Sequence, residues 1–158
     1  MASVDRNDAA SQAVSGRKRA AALLARAERS ELQAAWDALP QKPAAHPVRG
    51  PETGLVMVRG RIGGGGAPFN LGEVTMTRAT VRLESGSIGH AQALGTDREK
   101  TRLAAIFDAL WQEDATTDFV ERALLLPIAE RIAAAERRKA EETAATRVDF
   151  FTMVRGDD

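Results

Sequence analysis

The sequence predicts an α+β fold, because helix-like and strand-like patterns of apolar residues occupy separate stretches of the chain. Apolar residues recur at helical spacing before Pro40 and again after Gly95. Between these stretches, β-branched residues alternate with glycine and proline turns, as in an antiparallel sheet. We therefore expect N-terminal helices, a central antiparallel sheet, C-terminal helices and an apolar C-terminal segment.

The N-terminal part predicts a tail followed by two helices. Residues 1–15 show no apolar periodicity, and we expect a flexible tail ahead of a single domain over residues 16–158. A second helix is expected to start with a capping box of Ser30 and Gln33 and to end before Pro40. The apolar stripes of the two helices are Ala20, Leu23, Leu24 and Ala27, then Leu32, Trp36 and Leu39.

The middle of the chain predicts three strands. Residues 54–62 alternate, with Val56, Val58 and Ile62 on one face and Arg59 and Arg61 on the other. Residues 69–83 are rich in β-formers, and a turn at 85–86 leads into a third strand at 88–94. A strand around residue 48 is at best an edge strand, because prolines flank it. The glycine run 63–66 is a flexible hairpin connection or a backbone contact for a ligand or partner.

The C-terminal part predicts a long amphipathic helix and two further helical stretches. A capping box from Thr96 to Glu99 precedes a regular apolar stripe. A further helix is expected from about Asp118, with Pro127 breaking or kinking it. Residues 128–146 are charged and alanine-rich, so this helix lies in solvent or against a partner. The stripe of the long helix is Leu103, Ile106, Phe107, Leu110 and Trp111, and the last helix offers only Ile128, Ile132 and Ala135.

Composition excludes several kinds of chemistry. The chain has no cysteine, which rules out disulfides, thiolate nucleophiles and iron–sulfur ligation. Its two histidines, His46 and His90, lie far apart in sequence, so we expect no metal site. Lys and Arg together number 22, as do Asp and Glu, so no net charge predicts a polyanionic partner. No secretory signal or membrane span is evident, and a cytoplasmic protein is expected.

Arginines on the predicted sheet are the first candidate site. Arg59 and Arg61 share one strand face, and Arg78 and Arg82 share another. Paired strands would bring these side chains together as a guanidinium cluster, which suits bidentate contact with phosphate oxygens. The alternative is a solvated face, or a face whose arginines pair with acidic residues of a neighbouring chain.

The C-terminal segment 147–158 is the second candidate site. It carries two of the five phenylalanines of the chain, and so apolar a terminus is not expected to remain in water. It returns as a strand to its own sheet or docks on another protein. The candidate partner-binding residues are Phe150, Phe151, Met153, Val154 and Arg155. No catalytic residue can be singled out, because no nucleophile–base arrangement is readable.

Two stretches resemble a known family. The sequence RVDFFTMVRGD at 147–157 is similar to the C-terminal signature of the phosphonate metabolism protein PhnG family, and TRATVRL at 77–83 resembles its central strand motif. The residues ETGLV at 52–56, the glycine run and SIG at 87–89 follow in the expected order. The likeness extends from about residue 18 to the C-terminus.

The resemblance implies a subunit of the bacterial carbon–phosphorus lyase complex. Members act with companion H and I subunits to attach an alkylphosphonate to the ribose C1′ of ATP, with release of adenine. The J subunit then performs the radical cleavage of the carbon–phosphorus bond. The resemblance therefore implies a non-autonomous transferase subunit of the alpha-D-ribose 1-methylphosphonate 5-triphosphate synthase type. We expect ATP to be a substrate of the complex and this chain alone to bind no cofactor.

Three other interpretations remain open at this point. A nucleic-acid-binding module would use the arginines, but it would normally also show an aromatic platform or a basic net charge. A stand-alone phosphotransferase would use the glycine run, but the chain lacks a catalytic lysine at the required spacing. A purely structural assembly module is the third.

Overall fold

The structure is a computed structural model that describes residues 2–61 and 66–145, with side chains described from residue 14 onward. The strands form one antiparallel sheet in the order β1-β2-β3. In the sequence, two helices precede the strands and the remaining helices follow them. This architecture confirms the predicted α+β class. The helices are α1 (Ala2–Arg26), α2 (Arg29–Ala38), α3 (Arg98–Trp111), α4 (Asp114–Val120) and α5 (Leu126–Ala145), and the strands are β1 (Ala45–Gly60), β2 (Phe69–Leu83) and β3 (Ile88–Leu94).

The second and third strands have the predicted bounds. The turn between them is closed by the Leu83 amide, which donates to the Ser87 carbonyl over 2.9 Å. Gly86 has a φ of +96°, a conformation that other residues rarely adopt. The glycine at this turn is therefore what lets β2 reverse directly into β3.

The first strand is much longer than the prediction of 54–62 allowed. It begins at Ala45 and pairs along its length with β2, with register shifts between Pro47 and Arg49 and between Arg49 and Glu52. Proline lacks an amide donor, which excludes it from central strands but not from an edge strand. Because β1 lies at the edge of the sheet, local irregularities accommodate both Pro47 and Pro51.

Helix α3 covers the inner face of the sheet, which carries Ala79, Val81 and Leu83 of β2. The helix comes close to the strands at Gly89, where a Cβ atom would overlap the Ala105 carbonyl oxygen. The whole predicted stripe of α3 except half-buried Trp111 is buried. The helix is capped by Asp97, whose carboxylate accepts from the Lys100 amide over 2.9 Å. Thr96 is therefore not the cap, and the predicted start was one residue early.

Helices α1 and α2 differ from the prediction at their N-terminal ends. Helix α1 begins at Ala2, so the backbone of residues 2–15 is helical where a tail was expected. Four alanines lie in this stretch, and alanine has the highest helix propensity of all residues, so the helix does not require an apolar stripe. Helix α2 starts after Glu28, whose amide donates to the Glu31 carboxylate over 2.7 Å. The capping box therefore consists of Glu28 and Glu31, not of Ser30 and Gln33.

A π-helical turn at Glu121–Leu125 joins α4 to α5. Helix α4 begins at Asp114, a few residues before the predicted start. Pro127 is the second residue of α5, which directly follows the π-helical turn. Proline has no amide donor and its ring crowds the carbonyl four residues earlier, so it interrupts a regular α-helical pattern. The break expected near Pro127 corresponds to this π-helical turn. Ile128 and Ile132 are buried as expected, whereas Ala135 is exposed.

Two elements project from the same end of the molecule. Arg26, at the end of α1, pairs with Glu136 of α5 over 2.9 Å, and Arg29 lies 3.8 Å from Asp97 at the start of α3. This is also the end where β3 stops and the β1–β2 hairpin continues alone, beyond the Gly95 amide bonded to the Thr75 carbonyl. The last ten residues of α5 and the outer part of the hairpin therefore both extend past the core.

None of the helices in the described ranges combines the length and apolar content that a membrane crossing requires.

Candidate functional site

The outer face of the sheet, opposite α3, is the candidate site. Residues of β2 alternate between the two faces, so Arg78, Thr80 and Arg82 point outward while Thr77 and Ala79 are buried beneath them. Residues paired across strands share a face. The cross-strand neighbours of the three outward residues are Glu52, Arg49 and His46 on β1 and Gln92, His90 and Ile88 on β3.

Arg78 is held by Glu52 on the neighbouring strand. Its Nε lies 2.6 Å from Glu52 Oε1, and Arg49 Nε lies 3.2 Å from the same oxygen. One carboxylate therefore faces two guanidinium groups, which leaves this part of the face with positive charge. All three side chains are about half exposed, so the pairs themselves add little to stability. Their main effect is to fix the orientation of the Arg78 side chain on the face.

Arg82 lies on the same face and forms no ion pair with the described residues. It is four residues from Arg78 along β2, which corresponds to about 13 Å. Arg49 is paired across the strands with Thr80, between the two. Arg78, Arg49 and Arg82 therefore follow one another along the face. This row suits an extended anion, such as a polyphosphate chain, better than a single phosphate.

Arg59 and Arg61 lie elsewhere. Arg59 pairs with Asn70, eight residues before Arg78 on β2, or about 26 Å away. Arg61 follows the end of β1 and is exposed. The prediction that paired strands bring all four arginines into one cluster is therefore wrong. In an antiparallel hairpin, residues near the connection between the strands are the farthest from its base.

The outer face becomes apolar toward the projecting end of the hairpin. Val56 pairs with Val74 across the strands. Met76 has Gly54 as its neighbour on β1 and Leu94 as its neighbour on β3, and Leu94 is 67% exposed. A concavity of about 330 Å³ marks the boundary with the basic half. Its lining includes Arg78, Glu52 and Gln92 on one side and Val56 and Met76 on the other. A ligand here would meet both a guanidinium group and apolar surface.

The two histidines both lie on the outer face but do not form a metal site. His90 Nδ1 is 3.1 Å from the Thr80 hydroxyl, and His46 stands opposite Arg82 on β1. Within the described ranges, no group of three or more His, Asp or Glu side chains could hold a metal ion.

Asp108 is a buried carboxylate that sequence reasoning missed. It is 1% exposed, yet it accepts from Arg17 Nη2 over 2.8 Å and from the His90 amide over 2.8 Å. Arg17 also donates to the Ile88 carbonyl, and its hydrogen bond to Asp108 raises the pKa of the guanidinium despite partial burial. This arrangement ties α1, α3 and β3 together. The signal in the sequence is an aspartate directly after the apolar pair Ile106-Phe107.

Two predicted features lie outside the described residues. The glycine run is described only at Gly66, which is exposed and leads into β2, not into a helix. The C-terminal candidates all fall after residue 145, and their partner-binding role stays a prediction. They are Phe150, Phe151, Met153, Val154 and Arg155.

Comparison with known proteins identifies the family. The model of the phosphonate metabolism protein PhnG family matches residues 15–156. The chain belongs to the PhnG family. It is 65% identical, over 145 residues and 92% of each chain, to the alpha-D-ribose 1-methylphosphonate 5-triphosphate synthase subunit PhnG of Rhizobium meliloti (strain 1021). The family predicted from the C-terminal and central-strand motifs is thereby confirmed, and the match includes both the outer sheet face and most of the C-terminal segment.

Proposed function

We propose that this chain is a subunit of an alpha-D-ribose 1-methylphosphonate 5-triphosphate synthase in the carbon–phosphorus lyase complex of phosphonate metabolism. The observation that supports it is the 65% identity to a subunit of that name across 92% of both chains. Identity at this level over nearly the whole length leaves little room for a different assembly. The companions in the proposal are the H, I and J subunits, and ATP is a substrate of the complex.

The reaction in question joins two anions. An oxygen of the alkylphosphonate forms a bond to the ribose C1′ of ATP, and adenine leaves with the electron pair of its bond to C1′. The carbon passes through an oxocarbenium-like state, so catalysis needs positioning and charge stabilisation more than a protein nucleophile. The described part of this chain presents a row of arginines on one sheet face, which fits a positioning subunit.

We propose that the outer sheet face contacts the phosphate groups of a reactant. Arg78 and Arg82 are the principal candidates, with Arg49 between them on the neighbouring strand. Arginine provides a planar fork of donors that matches phosphate oxygens. Glu52 orients Arg78 without neutralising the face, because two arginines share it. Phosphate contact by Arg59 and Arg61 remains a separate prediction, since they lie at the other end of the hairpin.

A second role for the same face is contact with carboxylates of a companion subunit. The observation that favours it is the Glu52 ion pair itself, because Arg78 already binds a carboxylate there. The two roles differ in what an arginine-to-lysine change would affect first, namely nucleotide affinity or retention of the subunits.

Co-purification tests the proposed function directly. The chain is isolated from its native host under gentle conditions, and the proteins that accompany it are identified by mass. We expect the companion subunits of the synthase in a fixed ratio to this chain. Isolation of the chain alone, with the companions recovered as a complex without it, would contradict the proposal.

A further inference from the structure

Among the residues that the structure describes, no strand pairs with the outer edge of β1. Strand β1 lies at one end of the strand order, so one row of its amides and carbonyls faces outward. Pro47 and Pro51 interrupt that row near the base of the hairpin. Residues 52–60 contain no proline, and their one register shift lies near the end of the strand, between Val58 and Arg59. The opposite edge of the sheet differs, because α1 lies beside β3 and Arg17 and Gln112 both donate to the Ile88 carbonyl.

Residues 55–58 of β1 are apolar on both faces. Leu55 and Met57 are 64% and 52% exposed and alternate with Val56 and Val58 on the other face. A strand with one solvated face would alternate between apolar and polar side chains. Apolar residues on both faces are typical of a strand that is covered on both sides and has neighbours in the sheet.

The C-terminal segment has the matching pattern. Phe150, Phe151, Met153 and Val154 are apolar, and in an extended chain Phe150 and Val154 face one side while Phe151 and Met153 face the other. If this segment pairs with β1, its side chains add apolar surface to both faces of the hairpin. It is also rich in aromatic and β-branched residues, which favour strands.

The position of α5 brings the start of this segment to the end of the molecule from which the β1–β2 hairpin projects. Helix α5 ends at Ala145, about 14 Å beyond Glu136, its contact with the end of α1. The hairpin projects from the same end. Residues 146–158 extend up to about 43 Å, more than twice the roughly 17 Å that five paired strand residues occupy.

We infer that the C-terminal segment of this same chain pairs with the open edge of β1 at residues 55–59 and adds a fourth strand to the sheet. The inference deepens the proposed function, because the added strand completes the surface that the projecting hairpin offers to a companion subunit. The pairing itself does not require the companions, so it is tested on the isolated chain.

Amide hydrogen exchange of the full chain and of a chain ending at Arg147 tests the pairing. The outward-facing amides among residues 55–59 are expected to exchange about tenfold faster, or more, after truncation. The Ala91 and Ala93 amides of β3 serve as the control for an intact fold, and their rates are expected to stay the same. Equal rates at 55–59 in the two chains would overturn the inference.

A second variant covers the case in which the truncated chain does not fold. In the full-length chain, the pair Phe150→Ser and Phe151→Ser is expected to raise the same rates, whereas the matched control Asp157→Asn leaves them unchanged. Protection at 55–59 that rises with protein concentration would identify a second copy as the occupant and overturn pairing within one chain. Protection that appears only when companion subunits are added would overturn it in favour of the partner. Failure of the full-length, unaltered chain to co-purify with the companion subunits is a separate result and bears on the proposed function alone.

Discussion

Gly89 shows how one missing side chain determines the distance between the sheet and its covering helix. A Cβ at this position would overlap the Ala105 carbonyl and lie 2.6 Å from the Ala109 amide nitrogen. Both are backbone atoms, so neither can move without shifting α3. We expect Gly89→Ala to lower the free energy of unfolding by about 3 kcal/mol, at the upper end of overpacking costs.

The matched control is Gly54→Ala, because a Cβ there meets nothing within 4 Å. We expect it to change the unfolding free energy by less than about 0.5 kcal/mol. Denaturant unfolding of the three chains measures both effects. Equal stabilities for Gly89→Ala and wild type would show that α3 does not pack so closely against β3.

The arginines of the outer face can be tested without changing their charge. Lysine retains the positive charge but lacks the planar fork of arginine. We expect Arg78→Lys and Arg82→Lys each to weaken nucleotide binding by the assembled complex about tenfold, the loss of one strong hydrogen bond. Arg122→Lys is the matched control, since Arg122 is 78% exposed on the π-helical turn, far from the sheet.

Subunit retention, measured on the same arginine variants, separates the two roles of the face. Loss of a companion subunit before any loss of nucleotide affinity would favour contact with partner carboxylates. If both quantities stay at wild-type values, the outer face is a solvated surface.

An ion pair between α5 and α2 contributes to the attachment of α5. Arg131 donates to Glu31 of α2 through Nε over 2.7 Å and through Nη2 over 2.9 Å. Burial of Glu31 acts to raise its pKa, but hydrogen bonds from Arg131 and from the Glu28 amide outweigh it, so the pKa lies below the ordinary 4.5. A carboxylate whose pKa is lower in the folded chain stabilises the fold. This stabilisation is complete at pH values above the pKa of the unfolded chain, and it is lost as the pH falls through the pKa of the folded chain.

This sign gives a pH-dependent prediction for Glu31→Gln. At pH 7 the variant should be less stable than wild type by about 1 kcal/mol or less, because the pair is partly exposed. The difference should shrink as the pH falls below 4.5, where Glu31 of the unfolded wild-type chain takes up a proton, and it should vanish below the lowered pKa of folded Glu31. Unfolding curves at several pH values measure the difference. A difference in unfolding free energy that grows as the pH is lowered would contradict the assigned role of Glu31.

The sequence predicted elements well where the pattern was local. The bounds of β2 and β3 and the stripe of α3 followed from β-branched residues, one turn and a helical period. The length of β1 could not be predicted, because Pro47 and Pro51 are tolerated only at a sheet edge and strand order is a tertiary property. The caps of α2 and α3 were each misplaced by one or two residues, since several polar residues in each stretch can cap.

The candidate site was predictable only in part for a related reason. Period-two alternation correctly placed Arg78 and Arg82 on one face. It could not show that Arg59 lies about 26 Å from Arg78 and farther still from Arg82, because that depends on the register of a long hairpin. The pair of buried Asp108 and partly exposed Arg17 was hidden as well, since its residues come from α3 and α1 and meet only when the core has formed.

Attachment of the whole chain to its companions should depend on the C-terminal segment. A terminus with two phenylalanines and a methionine is the type of segment that contributes strongly at interfaces. We expect truncation after Arg147 to weaken association with the companion subunits by a few kcal/mol, measured by calorimetry or sedimentation. A truncated chain that associates with unchanged affinity would exclude a role for Phe150, Phe151 and Met153 in assembly.

Reconstitution of the synthase with and without this chain tests the central claim most directly. The companion subunits are mixed with ATP and methylphosphonate, and phosphonate-dependent release of adenine is measured. We expect release to require this chain and to be restored when the purified chain is added back in a fixed ratio. Full activity of the companions in its absence would contradict the claim that this chain is a working subunit of the enzyme.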